Sequence, residues 1–135
     1  MRKIKVYIGT LGLDQHELGA VAVSRMLRDA GMEVVYAGRF NLPPLILKTS
    51  LEEDVNVIGL SCHSWEHMYY VPELLGLLRE KGVGIPVVVG GSVITPGDRK
   101  RLVEIGVAAA FGPGASEREI VETIRKIAGR ADASG

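Results

Sequence analysis

This sequence predicts an α/β fold built on one doubly wound parallel sheet, and three observations carry the prediction. Short β-branched runs alternate with longer stretches of helical periodicity, five of each. At 135 residues the chain suits one domain with a real core and is too short for two. The residues with unusual chemistry fall just after the predicted strands, where open sheets of this kind bind ligands.

Ile4 to Ile8 reads as the first strand and Glu17 to Ala30 as the first helix. Gly19, Ala22, Val23, Met26, Leu27 and Ala30 form its apolar stripe, with Glu17, Ser24 and Arg28 opposite and Gly31 ending it. Glu33 to Ala37 is the second strand, and Pro43-Pro44 opens a helix reaching about Glu53. Val55 to Ser61 is the third strand, followed by a helix from Trp65 to Lys81 that contains Pro72. Ile85 to Val89, a helix from Gly97 to Ile105 and the short strand Val107 to Phe111 come next. Ser116 to Ala128 closes the fold, Ser116 and Glu119 having capping-box spacing. Residues 1–129 are therefore predicted to form the domain and 130–135 a frayed tail. Right-handed crossovers make the flavodoxin-like (Rossmann-like) strand order 2-1-3-4-5 the economical topology, with the ligand crevice between the first and third strands.

Composition removes several function classes. Apolar residues make up 47% of the chain and 16 basic residues balance 16 acidic ones. Neither disorder nor a basic nucleic-acid surface fits that balance. The apolar runs are strand-length, and no charged-then-apolar leader precedes the first strand, so no membrane role is expected. The single cysteine, Cys62, has no internal disulfide partner, which suits a reducing cytoplasm.

Asp14, His16 and Gly19 follow the first strand as Asp-x-His-x-x-Gly. Neutral imidazole is the commonest protein ligand for transition metals, and a carboxylate on its other nitrogen fixes the tautomer and raises basicity. Ser61 and His63 follow the third strand, Gly90-Gly91 the fourth and Gly112-Pro113-Gly114 the fifth. Gly90-Gly91 alone reads as turn punctuation, and Gly112-Pro113-Gly114 either as a connector or as a cradle for a phosphate or nucleotide tail. Cys62, His63, Glu66 and His67 offer metal-ligand chemistry, but there is no second cysteine to complete a closed zinc site. Trp65, Tyr69 and Tyr70 read as packing residues or a partner surface. No P-loop is present, and Ser61 and Gly112 stand where a phospho-receiver needs an acid and a lysine.

Taken in order, Asp14-x-His16-x-x-Gly19, Ser61, Gly90-Gly91 and Phe111-Gly112-Pro113-Gly114 resemble the cobalamin-binding domain of the adenosylcobalamin-dependent mutases, from about Lys3 to Ile127. Pro96, Asp98 and Gly106-Val107 make the methylmalonyl-CoA mutase (acyl-CoA mutase) branch the nearest in pattern. The resemblance implies that His16 displaces the cofactor's dimethylbenzimidazole and becomes the lower axial ligand of cobalt, with Asp14 on its other nitrogen. It implies that the nucleotide tail enters the crevice lined by Gly19, Ser61, Gly90 and Gly91, with His63 at its entrance and the Gly112 to Gly114 loop along it. Two positions depart from the pattern. Thr10 stands where such mutases often carry a lysine, offering Asp14 only a hydroxyl, and His63 replaces the leucine of Ser-x-Leu.

The elements are all spent on the sheet, leaving none for a lid over a reactive radical. The expectation is therefore a small subunit without catalytic residues of its own. A large (β/α)₈-barrel subunit would carry the acyl-CoA site, and adenosylcobalamin would start a radical 1,2-rearrangement. A glutamate-mutase-like small subunit, a corrinoid methyl carrier and a non-catalytic cobalamin-binding module are the alternative readings.

Overall fold

The computed structural model describes residues 3–11, 18–62 and 64–134. In chain order the elements are β1 (Lys5–Leu11), α1 (Leu18–Asp29), β2 (Glu33–Asn41), α2 (Pro43–Glu52), β3 (Val57–Ser61), α3 (His67–Glu80), β4 (Val87–Gly90), α4 (Pro96–Ile105), β5 (Ala109–Phe111) and α5 (Glu117–Ser134). All strand pairs are parallel and the order is β2-β1-β3-β4-β5, as the sequence predicts. Alternation along the strands divides the core between the two faces of the sheet. Tyr7, Ile58, Val87 and Val89 pack with Ile46 of α2, Val71 and Leu74 of α3 and Leu102 of α4. Val6, Ile8, Val57 and Val88 pack with Ala20 and Leu27 of α1 and with Val121 and Ile124 of α5.

Three sequence expectations need correction. The buried face of α1 is centred on Ala20, Ser24 and Leu27, so Ser24 lies inside and Ala22 outside. A serine is small enough for close helix-to-sheet packing, and hydropathy alone misplaces it by one position on the wheel. The second correction concerns α5, which passes Ala128 and continues to Ser134. One internal glycine, Gly129, costs a helix only about 1 kcal/mol, and the alanines beyond it favour continuation.

The third correction bears on the site. β2 runs four residues beyond Ala37, to Asn41. Its last turn of chain is irregular, with Gly38 at φ 70° and Phe40 at φ 65°, and the register with β1 slips on both sides of Gly9. Such bulges erase the two-residue periodicity by which a strand is read from sequence. What fixes the irregular end is the buried Asn41 amide. It accepts from the Tyr7 hydroxyl at 2.7 Å and donates to the carbonyls of Thr10 at 3.1 Å and Gly38 at 2.8 Å. Gly9 makes room for it, since a Cβ there would come within 2.8 Å of the Asn41 amide nitrogen. Burial pushes the Tyr7 phenol above its ordinary pKa, so the neutral hydroxyl is the form that serves Asn41. Asn41 thus clamps the end of β1 from which the chain departs at residue 12.

At the far side of the crevice, Cys62 donates its backbone N–H to the Gly90 carbonyl at 2.8 Å. A Cβ on Gly91 would overlap the Cys62 carbonyl, a fixed backbone group that cannot move aside.

These contacts set two expectations for stability. Replacing Asn41 with Ala strands the Tyr7 hydroxyl and two buried carbonyls and should cost about 3 kcal/mol, against about 1 kcal/mol for Tyr7→Phe. Denaturant titration of both variants at unchanged slope measures the difference, and equal midpoints would refute the clamp. Gly91→Ala should likewise destabilise through backbone overlap. Gly76→Ala, in an exposed turn of α3 with open space around the added methyl, should stabilise by about 0.5–1 kcal/mol.

Candidate functional site

A crevice of about 250 Å3 opens at the carboxyl end of the sheet, on the face covered by α1 and α5. Its position follows from topology. The chain leaves β1 and β3 for opposite faces, so no connection crosses between their ends. Ile8, Gly59 and Val88 form its floor, α1 contributes Gly19, Ala20 and Val23, and α5 contributes Ile120 and Ile124. Ser61, Gly90, Gly91, Ser92 and Gly112 bring the loop ends of β3, β4 and β5 to its mouth. The lining is almost wholly apolar below and carries serines at the rim, a surface suited to a flat aromatic group with a polar extension.

Packing restricts a side chain here in three places, against backbone at Gly91 and Gly112 and more mildly at Gly59. At Gly59 a Cβ would stand 2.6 Å from the Ile8 Cδ1 and 3.2 Å from the Tyr7 carbonyl. At Gly112 it would lie 2.8 Å from the Ile94 carbonyl, and at Gly91 it would overlap Cys62. Gly90 differs, because its added methyl would make only ordinary contact with Phe111. The reading of the glycine pair as turn punctuation is thus too weak for Gly91: three strand-end loops close on one another there without side chains between them. Gly114 adopts φ 93° beside Pro113 and Ala115, which line the crevice.

Of the sequence-selected residues, Gly19, Ser61, Gly90, Gly91 and Gly112 share this one crevice. Asp14, His16 and His63 lie outside the described residues. Thr10 is buried next to Ser61 in the β1–β3 register, and its hydroxyl has no hydrogen-bond partner among the described residues. Among those residues, no group of three or more His, Cys, Asp or Glu could hold a metal ion.

The rim outside the crevice is apolar to an unusual degree. Trp65 is 77% and Tyr69 64% exposed, while Tyr70 packs against the core with its ring edge-on to Tyr69 at 5.1 Å. Phe40 is 46% exposed despite its left-handed backbone, with the Arg39 guanidinium 5.3 Å over its ring. Bulky residues keep such a conformation only where the surroundings enforce it, which marks this corner beside the β1 exit as constrained.

Sequence reasoning missed one constellation. His67, in the first turn of α3, is 3% exposed, with Nδ1 at 2.9 Å from the Ser64 carbonyl. Its Nε2 lies 3.8 Å from Asp98 Oδ2. Asp98 and Thr95 form a capping box at the start of α4: the Asp98 N–H donates to Thr95 Oγ1 at 3.0 Å and the Thr95 N–H to Asp98 Oδ2 at 3.2 Å. The Thr95 backbone N–H holds the Asp98 carboxyl below its ordinary pKa, partial burial opposes this, and the Thr95 hydroxyl, His67 and Arg101 add to the lowering. The Thr95-Pro96-Gly97-Asp98 spacing was the available signal.

Comparison with known proteins places this geometry. The model of the B12 binding domain matches residues 4–122. The pivalyl-CoA mutase small subunit of Xanthobacter autotrophicus (strain ATCC BAA-1158 / Py2) is 40% identical over 91% of this chain and 82% of its own length. The 2-hydroxyisobutanoyl-CoA mutase small subunit of Aquincola tertiaricarbonis is 34% identical over 92% of this chain and 91% of its own. A cobalamin-binding protein from Desulfitobacterium hafniense DCB-2 superposes with a TM-score of 0.79 at 19% identity, over 93% of this chain and 60% of that one, and so shares the fold. This chain belongs to the B12-binding domain family, in the company of the small subunits of acyl-CoA mutases.

Proposed function

We propose that this chain is the cobalamin-binding small subunit of a two-component, adenosylcobalamin-dependent acyl-CoA mutase, with His16 as the lower axial ligand of cobalt. The observation that carries the reading is the crevice at the β1–β3 switch point, whose mouth has no room for side chains at Gly91 and Gly112 and whose floor is bare at Gly59. The residues fit the cofactor. An apolar slot of about 250 Å3 suits the detached dimethylbenzimidazole, and Ser61 and Ser92 stand at the mouth for the polar part of the tail. Residues 1–129 then serve as the cobalamin-binding domain, and a single, buried cysteine, Cys62, suits a cytoplasmic setting. Among the described residues no helix is long and apolar enough to cross a membrane.

In this reading adenosylcobalamin supplies radical chemistry for a carbon-skeleton rearrangement, and the chain's own residues hold and orient it. His16 would offer one imidazole nitrogen to cobalt, and its other nitrogen would donate its N–H to the Asp14 carboxylate, which fixes the tautomer. Thr10 Oγ1, buried and without a described partner, is the nearest hydroxyl in sequence for the Asp14 carboxylate. The Asn41 clamp holds the strand end that carries this loop. Gly19, Gly90 and Gly91 let the tail approach the backbone, and the Gly112 to Gly114 loop lies along it. The small-subunit names of the relatives support a large mutase subunit as partner, to which exclusion of water above the corrin is assigned and for which a (β/α)₈ barrel carrying the acyl-CoA site is the proposed form. Trp65, Tyr69 and Phe40 on the rim are suited to that contact.

Electron paramagnetic resonance of the cob(II)alamin complex should show coupling to an imidazole nitrogen that changes when the protein's histidines carry nitrogen-15. Coupling that persists unchanged in labelled protein or in His16→Ala would sink the ligand assignment. Asp14→Ala should weaken cobalamin binding by about ten- to a hundredfold, read by absorbance titration.

Turnover of pivalyl-CoA, 2-hydroxyisobutanoyl-CoA or methylmalonyl-CoA should require a large mutase subunit in addition to this chain and adenosylcobalamin. Steady isomerisation by this chain alone would refute the two-component reading.

A further inference from the structure

We propose that His67 is a positioning residue for the cofactor's nucleotide tail, acting through Asp98 to hold the loops after β3 and β4 at a fixed separation. The inference rests on the cobalamin reading above. His67 is outside the crevice lining, so its effect on a bound tail is indirect. Its ring is buried between two acceptors on different segments, the Ser64 carbonyl at 2.9 Å and the Asp98 carboxylate at 3.8 Å. The proton on Nδ1 serves the carbonyl. Among the described residues Nε2 has no hydrogen-bond partner, and it faces the Asp98 carboxylate at 3.8 Å. A buried polar edge left without any partner is costly, so this contact is what supports it.

What the contact joins gives it a role. On one side, Ser64 follows β3 two positions beyond Cys62. On the other, Asp98 holds Thr95 through the capping box, and Thr95 ends the short segment that starts at Gly91. Within that segment the Ile94 N–H reaches the Gly91 carbonyl at 3.4 Å, and the Ile94 carbonyl fills the space a Gly112 side chain would need. The Gly91 backbone in turn lies against the Cys62 carbonyl. A shift of the loop after β3 relative to α4 is therefore transmitted to Ser61, Gly91 and Gly112, all at the crevice mouth. These backbone contacts have no side chains to absorb movement, so a tie at their periphery adds to the constraints on their spacing.

Absorbance titration of the full chain with cobalamin and with cobinamide, which lacks the nucleotide tail, tests the proposal. His67→Asn keeps an amide donor for the Ser64 carbonyl but cannot reach Asp98. It should weaken cobalamin binding roughly tenfold and leave cobinamide binding unchanged. The longer side chain of His67→Gln places its N–H near the Nε2 position and should restore most of the loss. Asp98→Ala should weaken cobalamin binding by a similar factor, and the double variant should be no worse than either single one. Equal losses for both ligands, no loss for cobalamin, or additive losses in the double variant would each overturn the proposal. If circular dichroism shows His67→Asn unfolded, Asp98→Ala and His67→Gln carry the comparison on the same criteria, since Asp98 lies at the partly exposed start of α4. A parent chain that binds no cobalamin overturns the functional reading along with this one. A parent that binds it, with variants that match it, overturns this inference alone.

Discussion

The site depends on one steric constraint, the contact of the Gly91 backbone with the Cys62 carbonyl. Parallel strands β3 and β4 lie side by side, and their chains must then diverge, β3 toward α3 and β4 toward α4. The Cys62 N–H bonded to the Gly90 carbonyl extends the ladder one step past the strand ends and brings the two exits into backbone contact. With a side chain at position 91 the exits would separate, and the mouth of the crevice would change with them. The Gly91 N–H also reaches the Phe111 carbonyl at 3.1 Å, so the same residue ties in β5. Three loops meet at a point where only hydrogen occupies the Cβ position.

On the other side of the crevice the end of β1 is held by a different means. Asn41 uses both amide protons and its carbonyl oxygen to join Tyr7, Thr10 and Gly38 across an irregular stretch of β2. A buried network of this kind stabilises only when every member is satisfied, and here the principal groups are. The two devices are complementary: steric closure fixes the loops of β3, β4 and β5, and a hydrogen-bonded clamp fixes the strand end that precedes Asp14 and His16. The mouth of the crevice and the end of β1 are thereby each held in place.

How much of this the sequence discloses follows the same division. Strand order, the alternation of elements and the residues at the crevice were legible because each rests on a local pattern: β-branched runs, helical stripes, glycines after strands. The grip of Asn41 was not, since its partners Tyr7 and Thr10 lie 34 and 31 residues away and its strand is bulged. The burial of Ser24 was invisible to hydropathy. In the sequence His67 stands out only as one of a group with metal-ligand chemistry, because the carboxylate that gives it meaning is on another helix. Gly91 looked like turn punctuation because the obstacle to a side chain there, the Cys62 carbonyl, is brought close only by the sheet.

An open sheet of this order serves many unrelated chemistries, so the architecture does not select the ligand. What narrows it is the crevice at the carboxyl rim, an apolar slot that reaches down between α1 and α5 and is closed by glycines, together with the Asp14 and His16 that the sequence sets between β1 and α1. A phospho-acceptor site would need charge at the strand ends, and Ser61 and Gly112 supply none. The depth of the slot depends on Gly59 in mid-strand, where any side chain would press on Ile8 and the Tyr7 carbonyl and raise the floor. Gly59 lies in the interior of β3, a position where glycine weakens a strand, with entropy lost and no side chain to pack. Its presence there leaves the floor of the crevice bare between Ile8 and Val88.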